Sequence, residues 1–136
     1  MKGLHIIADL YGCRNREMLT SSAMLREACV AACKAVGLRV LGDHFYQFEG
    51  LEATQVGGAT GTVVFAESHL AIHTWPERNS ATLDVYVCNV TCDNSAKAEK
   101  LYEALAATLK PDDSLVERVW RGRDLPQRKK RLAAVK

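Results

Sequence analysis

The chain has 136 residues and a mass of 15.0 kDa, with 48% hydrophobic residues and a formal net charge of +2. This length predicts one domain, and the hydrophobic content excludes general disorder. The small net charge gives no argument for nucleic-acid binding. No apolar run approaches the roughly 20 residues of a membrane span, and no signal peptide precedes the first apolar stretch. We therefore expect a cytoplasmic protein without membrane contact.

Five cysteines are present, an odd number with no secretion signal. Free thiols are expected rather than a disulfide framework. Cys29 and Cys33 stand four apart in an alanine-rich helical stretch, so they are predicted to pack as small apolar side chains.

The first third of the chain reads as a strand followed by a helix. Residues 4–11 alternate between two faces as a strand does, and residues 12–20 form a polar connection. Residues 21–36 carry an apolar stripe at helical spacing. Ser21 or Ser22 is a plausible N-cap, and Gly37 is a plausible C-terminal stop. The predicted stripe consists of Leu25, Cys29, Ala32 and Val36.

The middle of the chain is rich in β-branched residues. Residues 38–48 predict a second strand with a break near Gly42, and residues 49–59, with three glycines, predict a loop. A third strand is expected from Thr60 or Gly61 toward Thr74. The following segments are a turn at residues 76–80 and an alternating fourth strand at residues 81–89.

The last part predicts a helix at residues 95–110 and a strand at residues 114–121. The order of elements favours an α+β two-layer sandwich, with two helices on one face of a mainly antiparallel sheet. Residues 1–125 would form one domain, and residues 126–136 a basic tail that is solvated. The uncovered sheet face would carry the site or a partner subunit.

A reactive cluster occupies residues 61–77, GTVVFAESHLAIHTWPE, where Glu67, Ser68, His69 and His73 fall within seven positions. Two chemistries are open for Ser68. A triad nucleophile usually stands in Gly-x-Ser-x-Gly, and Ser68 has no flanking glycine. The alternative is attack of the Ser68 hydroxyl on the Glu67 carbonyl, which needs a base and an oxyanion donor nearby. Because strand side chains alternate, Ser68 and His73 face opposite ways unless the chain bends between them.

The run ESHLAIHTWPE at residues 67–77 resembles the signature of the prokaryotic, pyruvoyl-dependent S-adenosylmethionine decarboxylase proenzyme family. Residues 3–13 are similar to the family's opening strand. Residues 45–48 resemble its aromatic pair before the central loop, and residues 81–88 resemble the strand with its catalytic thiol. The resemblance covers most of the chain, and the eleven-residue run is highly specific.

The resemblance implies that the chain cuts itself between Glu67 and Ser68, and that Ser68 becomes a pyruvoyl group, the cofactor. His73 would be the processing base, and Thr60 stands where the family usually has a serine that assists processing. The products would be chains 1–67 and 68–136.

The resemblance also implies a decarboxylase that forms a Schiff base with the substrate's α-amine and supplies the aminopropyl donor for spermidine. Cys88 would be the general acid that reprotonates the substrate carbon. Glu77 would bind the ribose hydroxyls, and Phe48 and Trp75 would stack on the adenine. A homodimer of cleaved protomers is implied, with no metal and no nucleic acid.

Departures from the family pattern leave the substrate open. The segment between Phe48 and Thr60 is longer than usual, and residues 78–80 replace a glycine-aromatic turn. The same pyruvoyl chemistry on ornithine or arginine is therefore an alternative. Two further alternatives are an unprocessed, inactive relative that binds a partner, and a small metal-binding module. The ligands of such a zinc site would be His69, His73, Cys88 and Cys92.

Overall fold

The computed structural model describes residues 2–126. In chain order the elements are β1 (Gly3–Tyr11), α1 (Arg16–Thr20), α2 (Ser22–Ala35), β2 (Val40–Glu49), β3 (Val56–Phe65), β4 (Ser68–Trp75), a 3-10 turn (Pro76–Arg78), β5 (Ser80–Cys88), α3 (Ser95–Leu109) and β6 (Asp113–Arg121). None of the helices within residues 2–126 combines the length and the hydropathy of a membrane span. The predicted basic tail falls almost wholly outside the described residues.

The strands form one antiparallel sheet in the order β2-β3-β4-β5-β1-β6. The three α-helices contact the sheet on one face, where alternate strand residues such as Leu4, Ile6 and Leu83 are fully buried. The predicted α+β two-layer sandwich is confirmed. The predicted numbers of elements are wrong, because the described residues contain six strands rather than five and three α-helices rather than two.

The two long helices begin, end and pack largely as their sequences predict. The Ser21 hydroxyl accepts a backbone N–H at the start of α2, and Gly37 follows its end with a φ of +84°. In α2 the buried residues are Leu25, Cys29 and Cys33, so Cys33 replaces the predicted Ala32 and Val36 at the centre of the stripe. Burial raises the pKa of Cys33 to about 12, which fits an apolar role. In α3 the buried residues are the predicted Ala98, Leu101, Leu105 and Leu109.

Two local predictions are corrected around β1 and β3. The predicted polar connection at residues 12–20 contains α1, a five-residue helix capped by the side chain of Asn15. It buries Met18 and Leu19 but is too short for a repeating apolar stripe. The strand predicted from Thr60 starts at Val56, so the predicted loop keeps only the stretch between Glu49 and Val56.

A third correction concerns the reactive stretch itself, which was predicted as one strand running to Thr74. It is a hairpin, because β3 ends at Phe65 and β4 starts at Ser68 as its pairing partner. Only Ala66 and Glu67 join the two strands. The chain therefore reverses before Ser68, and β4 runs without a register shift as far as Trp75.

The face of the sheet opposite the helices, called the open face below, has no covering element within residues 2–126. In β4 it carries His69, Ala71, His73 and Trp75, which alternate with the buried residues of the helix-covered face. Large apolar side chains between 36% and 64% exposed gather on this face. They are Ile7, Tyr11, Tyr46, Phe48, Val64, Trp75, Leu115 and Val119.

Candidate active site

Ser68 begins β4 next to the last residues of β5, and its side chain is only 7% exposed. The backbone N–H of Cys88 donates to Ser68 Oγ over 2.9 Å. This amide is a positioned hydrogen-bond donor beside the hydroxyl, which is the kind of group that stabilises a developing oxyanion. Cys88 itself is 8% exposed, so the serine and the thiol share a sheltered corner of the sheet.

Glu67, on the other side of the predicted scissile bond, has a left-handed backbone with φ of 61°. It is the second of the two residues in the hairpin turn, a position where glycine or asparagine is usual when φ is positive. A left-handed conformation strains a residue that has a β-carbon. The bond predicted to break therefore lies in a tight, strained turn.

The open-face side chains near Cys88 are largely ionisable. His5 Nε2 lies 3.5 Å from Asp84 Oδ1, and the rings of His5 and His69 pack edge to face with centroids 6.3 Å apart. The Arg121 guanidinium lies over the Tyr86 ring, 4.9 Å from its centroid. Partial burial, together with the positive charges of His5 and Arg121, lowers the pKa of His69.

His73 and Thr60 form a second polar cluster. They are directly opposite each other in the β3–β4 pair, and His73 Nδ1 and Thr60 Oγ1 share a short hydrogen bond. The centroids of the Trp75 and His73 rings lie 6.1 Å apart. The two residues for which the family resemblance implies a role in processing are therefore in direct contact.

A cavity of about 440 Å³ opens beside this second cluster. Its wall contains five residues singled out from the sequence, namely Phe48, Thr60, His73, Trp75 and Glu77. Gly58 lets the backbone of β3 approach that of β4 closely at the cavity wall, since a Cβ on this residue would stand 2.1 Å from the Thr74 carbonyl oxygen. The volume lies in the range of pockets that bind small molecules.

Glu77 sits on the 3-10 turn, and this turn is tied to α1. The Arg16 guanidinium donates to the Pro76 carbonyl oxygen over 3.2 Å and to Asn79 Oδ1 over 3.5 Å. Arg16 also lines the cavity. It was not singled out from the sequence, because nothing in the short stretch at residues 12–20 indicated a contact some 60 positions away.

The predicted site residues thus fall into two groups, here called the serine corner (Glu67, Ser68, Cys88) and the histidine cavity (Phe48, Thr60, His73, Trp75, Glu77). Ser68 and His73 are five residues apart in one regular strand, a distance of about 16 Å along it. Their side chains also point to opposite faces. The bend that would bring them together within one chain is absent from β4.

The zinc alternative is not supported by the arrangement of its ligands. Within residues 2–126, no three histidine, cysteine, aspartate or glutamate side chains converge as metal ligands would. His73 lies in the histidine cavity, whereas Cys88 lies in the serine corner. Cys92 is exposed in the loop after β5.

Comparison with known proteins assigns the chain to a family. Residues 4–122 match the family model described as S-adenosylmethionine decarboxylase. The S-adenosylmethionine decarboxylase proenzyme of Aquifex aeolicus is 41% identical over 109 residues, which cover 80% of this chain and 73% of the relative. The corresponding proenzyme of Persephonella marina is 40% identical over 119 residues, covering 85% and 81%.

A solved structure agrees in fold as well as in sequence. The crystal structure of adenosylmethionine decarboxylase from Aquifex aeolicus superposes with a TM-score of 0.75 at 35% identity, covering 92% of this chain and 94% of that one. From the family model, the relatives and the shared fold, we conclude that this chain belongs to the S-adenosylmethionine decarboxylase proenzyme family.

Proposed function

We propose that the chain is a proenzyme that cuts itself between Glu67 and Ser68 and then decarboxylates S-adenosylmethionine. The observation that carries the proposal is the serine corner. There a sheltered Ser68 hydroxyl accepts a hydrogen bond from the Cys88 amide, directly after the left-handed Glu67. The similarity to S-adenosylmethionine decarboxylase proenzymes supports the substrate.

The cleavage chemistry needs only groups of the chain and one water molecule. Ser68 Oγ adds to the Glu67 carbonyl carbon, and the amide becomes an ester with a free amine on Ser68. A base then removes the Ser68 Cα proton, and the main-chain carboxylate of Glu67 leaves as the new C-terminus of the first fragment. The dehydroalanine that remains takes up water and releases ammonia, which leaves a pyruvoyl group at the start of the second fragment. The Cys88 amide fits this sequence as the group that fixes the position of the attacking oxygen, because it donates to Ser68 Oγ.

The base raises a question of geometry, because His73 is the predicted base and lies about 16 Å from Ser68 along β4. A second copy can supply it. In a face-to-face dimer with a two-fold axis running across the strands near Ala71, β4 of one copy crosses β4 of the other in the opposite direction. The histidine cavity of each copy then lies over the serine corner of the other.

The open face has the properties of such an interface. Its half-exposed apolar side chains lie on five of the six strands, from Tyr46 in β2 to Leu115 in β6. A large exposed apolar patch is typical of a surface that binds another protein. An isologous contact also covers the same face in both copies. We therefore infer a homodimer with two composite sites.

The histidine cavity suits the adenosyl part of the substrate. Phe48 and Trp75 offer aromatic faces to a flat purine, and Glu77 offers carboxylate oxygens to ribose hydroxyls. Arg16 holds the turn that carries Glu77. Ornithine or arginine has no ring system to fill the aromatic part of this cavity, so these alternative substrates are not favoured.

Decarboxylation needs an electron sink, which the pyruvoyl carbonyl supplies once it has formed. The chain's own residues bind and orient the substrate in the histidine cavity and keep water away from the serine corner. Cys88, buried at that corner, donates the proton that replaces carbon dioxide on the substrate. A cytoplasmic location stays a prediction from the sequence.

Intact mass spectrometry of the purified protein tests the proposal. Wild type should give fragments 1–67 and 68–136, the second lighter by one ammonia than simple hydrolysis would leave it. Ser68→Ala should give one uncut chain, whereas Ser114→Ala, a hydroxyl on the edge strand β6, should be cut as wild type is. An uncut wild type, or a second fragment with a free serine amine, contradicts the proposal.

Carbon dioxide release then identifies the substrate. Wild type should release it from S-adenosylmethionine and not from ornithine or arginine, and Ser68→Ala should release none. Release from either basic amino acid at a comparable rate contradicts the substrate proposed here.

A further inference from the structure

One buried polar atom near the serine corner has no partner. Among residues 2–126, one buried side-chain nitrogen makes no hydrogen bond, and this atom is Nε2 of His5. Buried polar groups are nearly always hydrogen-bonded, so an exception in a charged surrounding points to a role in chemistry. Its nearest acidic neighbour is Asp84, whose Oδ1 lies 3.5 Å away.

The strand register places His5 between Asp84 and Cys88. His5 is opposite Tyr86 in the β1–β5 pair, Ile7 is opposite Asp84, and Gly3 is opposite Cys88. Asp84, Tyr86 and Cys88 alternate along β5 and so share the open face. Asp84 and Cys88 are therefore the two diagonal neighbours of His5, at about 7–8 Å, a separation that long and aromatic side chains can bridge.

We infer that His5, oriented by Asp84, is the positioning residue that returns a proton to the Cys88 thiol after each turnover. The inference rests on the proposed function, in which Cys88 gives its proton to the substrate. It assigns a role to a histidine that neither cleavage nor substrate binding uses.

The need for such a group follows from the burial of Cys88. A thiol that has given up its proton is a thiolate, and it must be reprotonated before the next substrate reacts. At 8% exposure, Cys88 has little contact with water. The imidazolium of His5 gives its proton to Cys88 Sγ and becomes neutral. It then takes a proton from water, to which the His5 side chain is partly exposed. Imidazole does both near neutral pH.

The surroundings of His5 suit a proton carrier. Asp84 Oδ1 lies 3.5 Å from Nε2 and stabilises the imidazolium by charge attraction without a hydrogen bond, so Nδ1 is available to exchange a proton with a group on another side of the ring. The Tyr86 ring lies over Gly3, since a Cβ there would stand 3.0 Å from Tyr86 Cε2, and Arg121 stacks on that ring. The ionisable groups that face His5 are Asp84, Tyr86 and Cys88 on β5, His69 on β4, and Glu117 and Arg121 on β6.

The first test does not depend on decarboxylation. It uses the uncut Ser68→Ala chain and measures iodoacetamide alkylation of Cys88 by peptide mass spectrometry. Adding His5→Gln should lower the alkylation rate at neutral pH by about tenfold and leave it unchanged in alkali, because a nearby imidazolium stabilises a thiolate. Adding Asp84→Asn should act in the same direction. His44→Gln, a histidine on the same face but in the edge strand β2, is the matched control.

The second test uses the cleaved enzyme. His5→Gln should lower kcat by about 10–100-fold at unchanged KM, the range of a lost proton-transfer group, and added imidazole should restore part of the rate. Unchanged kcat, or unchanged alkylation in both His5→Gln and Asp84→Asn, overturns the inference while the proposed function stands. If wild type is neither cut nor active, the proposed function fails, and the alkylation test still reports the pairing of His5 with Cys88.

Discussion

At the scale of single residues, strain is concentrated at the predicted scissile bond. Three non-glycine residues in the described chain have positive φ, namely Glu67, Asn79 and Lys110. Asparagine tolerates this conformation, and Lys110 caps the end of α3, where glycine is common. Only Glu67 combines the left-handed backbone with a bond that the proposed chemistry breaks.

We predict that Glu67→Gly relieves this strain and slows cleavage. The gain should be about 1 kcal/mol in the free energy of unfolding, measured by urea denaturation in the Ser68→Ala background. If the strain assists cleavage, the cut should slow by about fivefold, the factor that corresponds to 1 kcal/mol.

Lys110→Gly is the matched control for Glu67→Gly. It should raise stability by a similar amount and leave the cleavage rate unchanged, since Lys110 ends α3 far from the scissile bond. A Glu67→Gly chain that is stabilised but cut at the wild-type rate would mean that the strain is incidental.

At the scale of elements, one side chain ties helix α2 to the wall of the histidine cavity. Gln47 Oε1 accepts from the Ser22 backbone N–H over 2.7 Å. Its Nε2 donates to the carbonyl oxygens of Gly57 and Gly58, both over 3.1 Å, and to that of Phe48 over 3.3 Å. These bonds lie at the register shift between β2 and β3, where the cavity wall forms.

We predict that Gln47→Met raises KM by about tenfold, because the lost hydrogen bonds free the cavity wall. The cleavage rate and kcat should stay near wild type, since the hydrogen bonds of Gln47 go to Ser22, Phe48, Gly57 and Gly58 and none goes to Ser68, His73 or Cys88. Steady-state kinetics measure the first effect, and intact mass spectrometry measures the cut.

The matched control for Gln47→Met is Arg26→Met. It removes the other tie between α2 and β2, the two hydrogen bonds from Arg26 to Asp43, which lie away from the cavity. KM should not change in this variant. An equal rise of KM in both would show that general loosening of α2, rather than the cavity wall, sets the affinity.

The elements also differ in how well the sequence predicts them. Long helices with repeated apolar stripes and strands with clear alternation were found, because their patterns are local. The hairpin at Ala66 and Glu67 was missed, since neither residue is the glycine or asparagine that marks such a turn. The start of β3 was missed because Gly57 and Gly58 look like loop residues, although they are needed where strands approach closely.

The candidate site also has parts that the sequence could predict and parts that it could not. The resemblance of residues 67–77 to the family signature implied the roles predicted for Ser68 and His73. Alternation along a strand predicts that Ser68 and His73 face opposite sides of the sheet. The sequence left open whether the chain bends between them, and in the structure the nearest turn lies before Ser68, at Ala66 and Glu67. His5 and Asp84 meet only through the β1–β5 register, which no local pattern contains.

At the scale of the whole molecule, the predicted site residues of one chain fall into two separate groups on a sheet whose open face carries many exposed apolar side chains. The serine corner has the hydroxyl and the thiol but lacks the predicted base. The histidine cavity has the predicted base and the predicted binding residues but lacks the hydroxyl that would attack the Glu67 carbonyl carbon. The proposed composite site of two copies would complete both groups, and this arrangement can be tested with two inactive chains.

We predict that His73→Gln and Ser68→Ala chains complement each other. Expressed alone, neither should be cut efficiently, because one lacks the base and the other lacks the nucleophile. Expressed together, their mixed dimers contain one complete site, formed by Ser68 of the His73→Gln chain and His73 of the Ser68→Ala chain. With random pairing, about half of the His73→Gln chains should be cut, and all Ser68→Ala chains should stay whole.

Intact mass spectrometry distinguishes the two chains if one carries a tag. The control pairs His73→Gln with the Ser68→Ala/His73→Gln double variant, which restores no site and should give no cut chains. If His73→Gln stays whole beside Ser68→Ala in dimers shown to be mixed, the histidine does not act across the interface. The strand β4 would then have to bend within one copy, as its regular pairing in the intact chain does not.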